Sequence, residues 1–216
     1  MIQGKTMTVA PLQPIVTMPP TPYFSQDGIT IYNGDCRKII PMLGAFDVTL
    51  TDPPYGMHKA EWDELIPPTE WLPLVRERSR VVAVFCGVRG IYDYPKTDWC
   101  MSWTRLASTQ RMGKLKGFNN WEPVLLYGDS FTLPNDVLSF ANIPDGEAGF
   151  HDTPKPLKMI RNLLGRLQGE TVLDPFMGSG TTLVAARLEG RKAIGIEISE
   201  RYCESAVKRL AQKTLF

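Results

Sequence analysis

The chain lacks the residues and segments that mark several large classes of protein. It has two histidines and four cysteines among 216 residues, and no two cysteines form a C-x-x-C pair. A zinc site is therefore not expected, and we assign no metal ligands. Unpaired thiols suit a reducing compartment, which predicts a cytoplasmic protein. No apolar run approaches the roughly 18 residues of a membrane span, and prolines interrupt the N-terminal stretch where a signal peptide would lie.

The chain also lacks a strong net charge, which is +1 at pH 7. This excludes a protein that binds nucleic acid through its overall charge alone. The charge is nevertheless uneven, because residues 72–116 hold nine basic and three acidic residues, whereas residues 1–71 hold four basic and eight acidic ones. A basic middle segment fits a surface that contacts phosphates, and it fits an ordinary solvated surface as well.

The order of apolar and turn-forming segments predicts an α/β fold. We expect a proline-rich flexible arm over residues 1–27, followed by a single domain over residues 28–216. Strands that alternate with helices indicate a Rossmann-like, doubly wound, mostly parallel sheet. The main expected helices cover residues 69–80, 156–167, 183–188 and 200–213, and a long loop is expected over residues 128–154. The predicted strands are residues 28–32, 46–51, 81–86, 100–106, 123–127, 171–173 and 193–198.

A glycine-containing turn follows one of these strands, from Asp174 to Thr182. Gly178 and Gly180 have no Cβ, so the backbone can approach a ligand closely. The helix that follows offers unpaired N–H groups at its start, which favour a carboxylate such as that of S-adenosylmethionine. The turn departs from the full G-x-G-x-x-G pattern at Leu183, and by itself it also fits a generic turn.

Two further acidic residues lie at or near the ends of predicted strands. Glu197 lies 17 residues beyond Gly180, where an acidic side chain commonly accepts hydrogen bonds from ribose hydroxyls. Asp35 ends the first strand and could bind the amino group of an adenine. On local grounds, Glu197 also fits an exposed strand-end carboxylate, and Asp35 fits an Asn-Gly-Asp turn.

The second informative stretch is Asp52-Pro53-Pro54-Tyr55, just past the end of a strand. The lone pair of an aromatic amino group is delocalised, and two acceptors placed on its N–H groups would localise that pair. Asp52 and the carbonyl of Pro53 supply such acceptors, and the two prolines hold them in place. Tyr55 offers a flat face for stacking a base that has left the duplex. A plain proline-stiffened turn is the alternative.

Together and in this order, the two stretches resemble the beta class of N6-adenine/N4-cytosine DNA methyltransferases. In that class the catalytic motif precedes the cofactor motif, which is a permuted order. The segment His151 to Leu157 is similar to the family's His-Pro-x-x-Lys-Pro segment, with Asp152 in place of the first proline. Residues 33–36 and 195–202 are similar to further family segments, so the motifs cover the first and last thirds of the folded chain.

The resemblance implies S-adenosylmethionine as cofactor and DNA, with double-stranded DNA favoured, as substrate. Asp52, Pro53, Pro54 and Tyr55 would be catalytic, with Lys155 meeting the cofactor's methionine carboxylate. Because D-P-P-Y goes more often with adenine in this family, we expect an adenine-N6 methyltransferase. Homodimer formation is also consistent with the family. The expected cofactor-binding residues are Asp35, Cys36, His151, Lys155, Asp174, Phe176, Gly178, Ser179, Gly180, Thr181 and Glu197.

The target-recognition region is short compared with that of many family members, and we place it within about residues 104–150. Residues 105–121 contain four basic residues and no acidic one. The predicted DNA-contacting residues are Arg105, Arg111, Lys114 and Lys116. A short recognition region predicts a short or degenerate target sequence, and the absence of a nuclease motif favours a solitary methyltransferase over a fused restriction enzyme.

Three alternatives stay open. Cytosine-N4 methylation would use the same fold, RNA adenine-N6 methylation would use a similar acidic-Pro-Pro-aromatic turn, and an inactive methyltransferase-like protein would only bind nucleic acid. A glutamine or small-molecule methyltransferase is disfavoured, because its N-P-P-Y motif follows the cofactor motif.

Overall fold

The computed structural model describes residues 20–54, 67–106, 119–141 and 155–212. Five helices and nine strands form in these ranges, together with short 3-10 helices at Ile40–Met42 and Gly90–Asp93. The helices are α1 (Cys36–Ile39), α2 (Pro68–Arg76), α3 (Leu157–Leu164), α4 (Thr181–Leu188) and α5 (Glu200–Ala211). The strands are β1 (Phe24–Gln26), β2 (Ile29–Asn33), β3 (Phe46–Thr51), β4 (Ser79–Phe85), β5 (Trp99–Leu106), β6 (Trp121–Gly128), β7 (Val137–Ala141), β8 (Thr171–Asp174) and β9 (Lys192–Glu197).

All nine strands join one sheet in the order β1-β2-β9-β8-β3-β4-β6-β5-β7. The five consecutive strands from β2 to β4 are parallel, so their carboxyl ends share one edge of the sheet. Strand β6 runs antiparallel to both β4 and β5, so β5 again points the same way as β4. The predicted mostly parallel, Rossmann-like sheet is confirmed.

Helices cover both faces of this sheet because its central strands are apolar on both sides. Along β4, Val81, Ala83 and Phe85 face one core cluster, which includes buried residues of α3, α4 and α5. The alternate residues, Val82 and Val84, face a second cluster that includes α1 and α2. Because alternate side chains of β4 enter opposite core clusters, both sides of the strand are buried. This explains why residues 81–85 of β4 include no polar side chain.

The structure corrects three element predictions. The arm was extended too far, because Phe24–Gln26 pair with β2 across an Asp27-Gly28 turn whose two residues both have positive φ. Asp-Gly is a strong signal for such a hairpin. Helix α2 ends at Arg76 rather than at residue 80, since Ser79 already begins β4.

The third correction concerns the loop expected over residues 128–154. Val137–Ala141 form strand β7, which pairs in parallel with β5 at the edge of the sheet. Of the predicted recognition region, residues 107–118 and 142–150 lie outside the described residues, as does most of the N-terminal arm. Within the described part of the chain, each helix is too short or too polar to cross a bilayer.

Candidate active site

Four of the predicted acidic residues meet at the shared carboxyl edge of the parallel strands. Asp174 ends β8 and Glu197 ends β9, while Asp52 and Asp35 follow β3 and β2 directly or after one residue. Because these strands are adjacent in the order β2-β9-β8-β3, the four side chains lie along one edge. Ligands bind at this edge in open α/β sheets.

Asp174 links the cofactor turn to the Asp52 turn. The Thr51 hydroxyl donates to Asp174 Oδ1 at 2.8 Å, and the backbone N–H of Phe176 donates to the same oxygen at 3.2 Å. Burial raises the pKa of Asp174 to about 7, although the hydrogen bonds from Thr182 and Thr51 act in the opposite direction. Since Thr51 immediately precedes Asp52, a single hydrogen bond couples the two motifs.

Glu197 stabilises the glycine turn by accepting a hydrogen bond from its backbone. The Glu197 carboxylate accepts hydrogen bonds from the N–H of Gly178 at 3.0 Å and of Ser199 at 2.8 Å. Burial raises the pKa of Glu197 against the effect of these hydrogen bonds. Gly180 adopts a φ of 82° directly before α4, a left-handed conformation that favours glycine.

Arg209 on α5, which was not among the predicted site residues, stabilises the same turn through hydrogen bonds. Its Nη1 donates to the carbonyl and the hydroxyl of Ser179, both at 2.9 Å, and to the Thr181 hydroxyl at 3.0 Å. The hydroxyl oxygens of Ser179 and Thr181 therefore face α5, which makes their structural role in the turn clear. Arg209 lies three residues after Ala206 on the buried stripe of α5, and a basic residue on an apolar helix face was the available signal.

The Asp52 carboxylate lies in an ion-paired network at the start of the proline turn. Lys155 Nζ is 2.5 Å from Asp52 Oδ2 and 3.0 Å from Glu122 Oε1. Burial acts to lower the pKa of Lys155, but the charges of Asp52 and Glu122 outweigh it and the pKa is raised. Lys155, expected at the cofactor's carboxylate, is thus bound to two protein carboxylates here. Glu122 was not among the predicted site residues.

Asp35 and Cys36 lie at the start of α1, and Phe176 lies within the glycine turn. Asp35 caps α1 and pairs with Arg37, whose side-chain hydrogen bonds lower the pKa of Asp35. Cys36 is buried in the core, and this burial raises the pKa of its thiol to about 12. The half-buried Phe176 ring packs edge-on against Trp71, with ring centroids 5.2 Å apart.

Arg105 was predicted to contact DNA, and its position argues against that role. Along β5 the residues Met101, Trp103 and Arg105 alternate inward, which leaves Arg105 only 7% exposed. Its Nη1 lies 3.7 Å from Glu122 Oε2, and its Nη2 donates to the carbonyl of Trp121. Arg105 is therefore bound inside the protein and is not placed to contact a phosphate.

Five further predicted site residues lie outside the described residues: Tyr55, Arg111, Lys114, Lys116 and His151. Residues 107–118, which contain three of them, connect β5 to β6. Because β5 runs in the same direction as β4 and β6 runs opposite to both, the end of β5 and the start of β6 lie at the edge of the sheet where Asp52 lies.

Comparison with known proteins identifies relatives over most of the chain. A family model described as DNA methylase, of the N6/N4 type, matches residues 104–208. The putative methylase YubD of Escherichia coli is 30% identical over 203 residues, covering 82% of this chain and 88% of that protein. The crystal structure of the M1.HpyAVI-SAM complex is 26% identical with a TM-score of 0.61, covering 84% of this chain and 99% of that one. The PvuII DNA methyltransferase, described as cytosine-N4-specific, shares the fold at 17% identity with a TM-score of 0.65, covering 87% of this chain and 88% of that one.

Proposed function

The chain belongs to the N6-adenine/N4-cytosine family of DNA methylases, and from this premise we propose that it methylates the N6 amino group of adenine in DNA. The methyl donor is S-adenosylmethionine. The observation that carries the proposal is the hydrogen bond from Thr51 to Asp174, which ties the turn containing Asp52 to the glycine turn. The methyl donor and the methyl acceptor would then meet at one edge of the sheet.

The side chains and backbone at this edge fit the proposed cofactor. S-adenosylmethionine supplies a methyl group on a sulfonium centre, together with ribose hydroxyls, an adenine ring and a carboxylate. The buried carboxyl group of Asp174 and the half-buried one of Glu197 can accept hydrogen bonds from hydroxyl or amino groups. Gly178 and Gly180 let the backbone come close, the start of α4 suits an anion, and Phe176 provides an apolar surface.

On the target side, Asp52 and the Pro53 carbonyl would each accept one N–H of the adenine amino group. These two hydrogen bonds localise the nitrogen lone pair, which otherwise is delocalised into the ring. S-adenosylmethionine would supply the methyl group from its sulfonium centre. The target nitrogen would gain the methyl group, the S–C electron pair would stay on sulfur, and the extra proton on the nitrogen would pass to water. Catalysis in this scheme comes from placing the two reactants in line and from fixed acceptors.

The partner we propose is double-stranded DNA in the cytoplasm, with the target adenine turned out of the duplex towards Asp52 and Tyr55. The basic residues Arg111, Lys114 and Lys116 lie in the sequence between β5 and β6, and the end of β5 and the start of β6 lie at this same edge, which supports a phosphate-contacting role for them. Adenine is preferred over cytosine because the turn reads D-P-P-Y, the form that in this family goes more often with adenine.

Methyl transfer followed by nucleoside mass spectrometry tests the proposal. The protein is incubated with labelled S-adenosylmethionine and, separately, with duplex DNA, single-stranded DNA or RNA, and each nucleic acid is digested to nucleosides. We expect N6-methyladenine from duplex DNA, and none from the Asp52→Ala variant. N4-methylcytosine would overturn the base assignment, and transfer to RNA alone would overturn the DNA assignment. Cofactor binding without any transfer would favour an inactive binding protein.

A further inference from the structure

We propose that Glu122 acts as a positioning residue, which holds Lys155 and through it the Asp52 carboxylate in place for methyl transfer. The contacts form a chain from a strand to the catalytic turn. Glu122 Oε1 is 3.0 Å from Lys155 Nζ, and the same nitrogen is 2.5 Å from Asp52 Oδ2. This inference rests on the proposed function, because it assigns Asp52 as the acceptor of the target amino group.

Glu122 is suited to be the fixed end of this chain. It lies near the start of β6, which is hydrogen-bonded to β4 on one side and β5 on the other. Its side chain is 8% exposed, and its second carboxylate oxygen faces the guanidinium of Arg105 at 3.7 Å. Carboxylates this buried are normally paired, and their interactions are stronger than at the surface because water screens them less.

Aromatic rings fix the path of the Lys155 side chain. Its ammonium lies 5.0 Å from the centre of the Phe85 ring and 5.8 Å from the centre of the Trp103 ring. Both distances are within the range of a cation–π interaction. These rings belong to β4 and β5 and pack edge to face, with centroids 6.4 Å apart. The ammonium is thus held by strand residues on one side and meets Asp52 on the other.

Asp52 needs such support more than Glu122 does. Its side chain is 35% exposed, and it follows the end of β3 rather than lying within the sheet. A misplacement of about 1 Å in a reacting group can cost about 100-fold in rate. Loss of the network should therefore lower the rate of transfer while leaving the glycine turn, and hence cofactor affinity, in place.

Two variants and their combination test this idea. We expect Glu122→Gln to lower kcat about 10-fold and Lys155→Met about 100-fold, in line with the cost of misplaced reacting groups. The dissociation constant for S-adenosylmethionine should change less than about threefold in each. If Glu122 acts through Lys155, adding Glu122→Gln to Lys155→Met should lower kcat no further. The matched control is Glu189→Gln, which removes the Arg161–Glu189 ion pair between α3 and the end of α4 and should leave kcat unchanged.

The outcomes separate this inference from the proposed function. An active wild-type enzyme whose Glu122→Gln variant keeps the wild-type kcat would overturn the positioning role alone. Independent, multiplicative losses in the double variant would also overturn it. A wild-type enzyme that transfers no methyl group would overturn the proposed function. Even in an inactive protein, the coupling of Glu122 to Asp52 through Lys155 can be measured by urea unfolding. The shifts in urea midpoint caused by Asp52→Asn and Glu122→Gln should not add up in the double variant, and additive shifts would refute the coupling.

Discussion

Replacing Gly180 by alanine probes how the cofactor turn is packed against the last helix. A Cβ at this position would lie 2.8 Å from Ala206 Cβ and 3.4 Å from Ala206 Cα on α5. A left-handed conformation costs an alanine about 1–2 kcal/mol, and the forced contact adds about 1–3 kcal/mol. The smaller entropy of the unfolded chain offsets about 0.4–1 kcal/mol. We therefore expect Gly180→Ala to lower the free energy of unfolding by about 3 kcal/mol.

Gly190→Ala is the matched control for this change. Gly190 also has a positive φ, 71°, but an added Cβ meets no atom within 4 Å. Only the cost of the left-handed backbone conformation remains. After the offset from the smaller entropy of the unfolded chain, Gly190→Ala should lower the free energy of unfolding by about 1 kcal/mol. Urea unfolding monitored by tryptophan fluorescence gives the free energy of unfolding of both variants, and calorimetric titration gives their cofactor affinity.

Cofactor affinity should fall in Gly180→Ala and stay unchanged in Gly190→Ala. Equal destabilisation of the two variants would refute the reasoning, because it would mean that the contact between the turn and α5 contributes nothing. Unchanged cofactor binding in Gly180→Ala would separate the turn from the cofactor site.

Two further predictions concern the groups that hold this turn. The pKa of Asp174 is raised to about 7 from 3.8, so the folded state favours the neutral acid and loses stability as the pH rises from about 4 to about 7. Asp174→Asn lacks this loss, and urea unfolding should show its stability rising relative to wild type by on the order of 2 kcal/mol between pH 5 and pH 8; a pH-independent difference would contradict this. Arg209→Met removes three hydrogen bonds to the turn and should destabilise the protein by about 2–4 kcal/mol, with weaker cofactor binding in a calorimetric titration. Arg191→Met, which removes two hydrogen bonds to the carbonyls of Leu164 and Leu167, should leave cofactor affinity unchanged, and an equal loss of affinity in both variants would contradict the assignment.

The central strands could be predicted because their sequence pattern is local. Phe46–Thr51 is predicted at its observed bounds, and Val81–Phe85 is recognisable as a continuous apolar run. Strand β7 was missed because its residues sit among turn formers and gain their strand conformation from pairing with β5, some 35 residues earlier in the chain. A strand that depends on pairing with a distant part of the chain has no pattern in its own sequence by which to predict it.

The same distinction holds at the candidate site. The acidic residues at strand ends could be placed at one edge, because parallel strands bring their carboxyl ends together. The inward direction of Arg105 was readable from the alternation with Met101 and Trp103. By contrast, the contact between Lys155 and Asp52 joins residues 103 positions apart, and only the folded sheet brings Glu122 beside them.

The most direct test of the central claim is the single-turnover rate of methyl transfer to duplex DNA by wild type and Asp52→Ala, measured together with the cofactor dissociation constant. If Asp52 accepts the target amino group, the rate should fall about 100- to 1,000-fold, and cofactor affinity should change less than about threefold. An Asp52→Ala variant that keeps the wild-type rate, or whose loss follows weakened cofactor binding, would contradict the account.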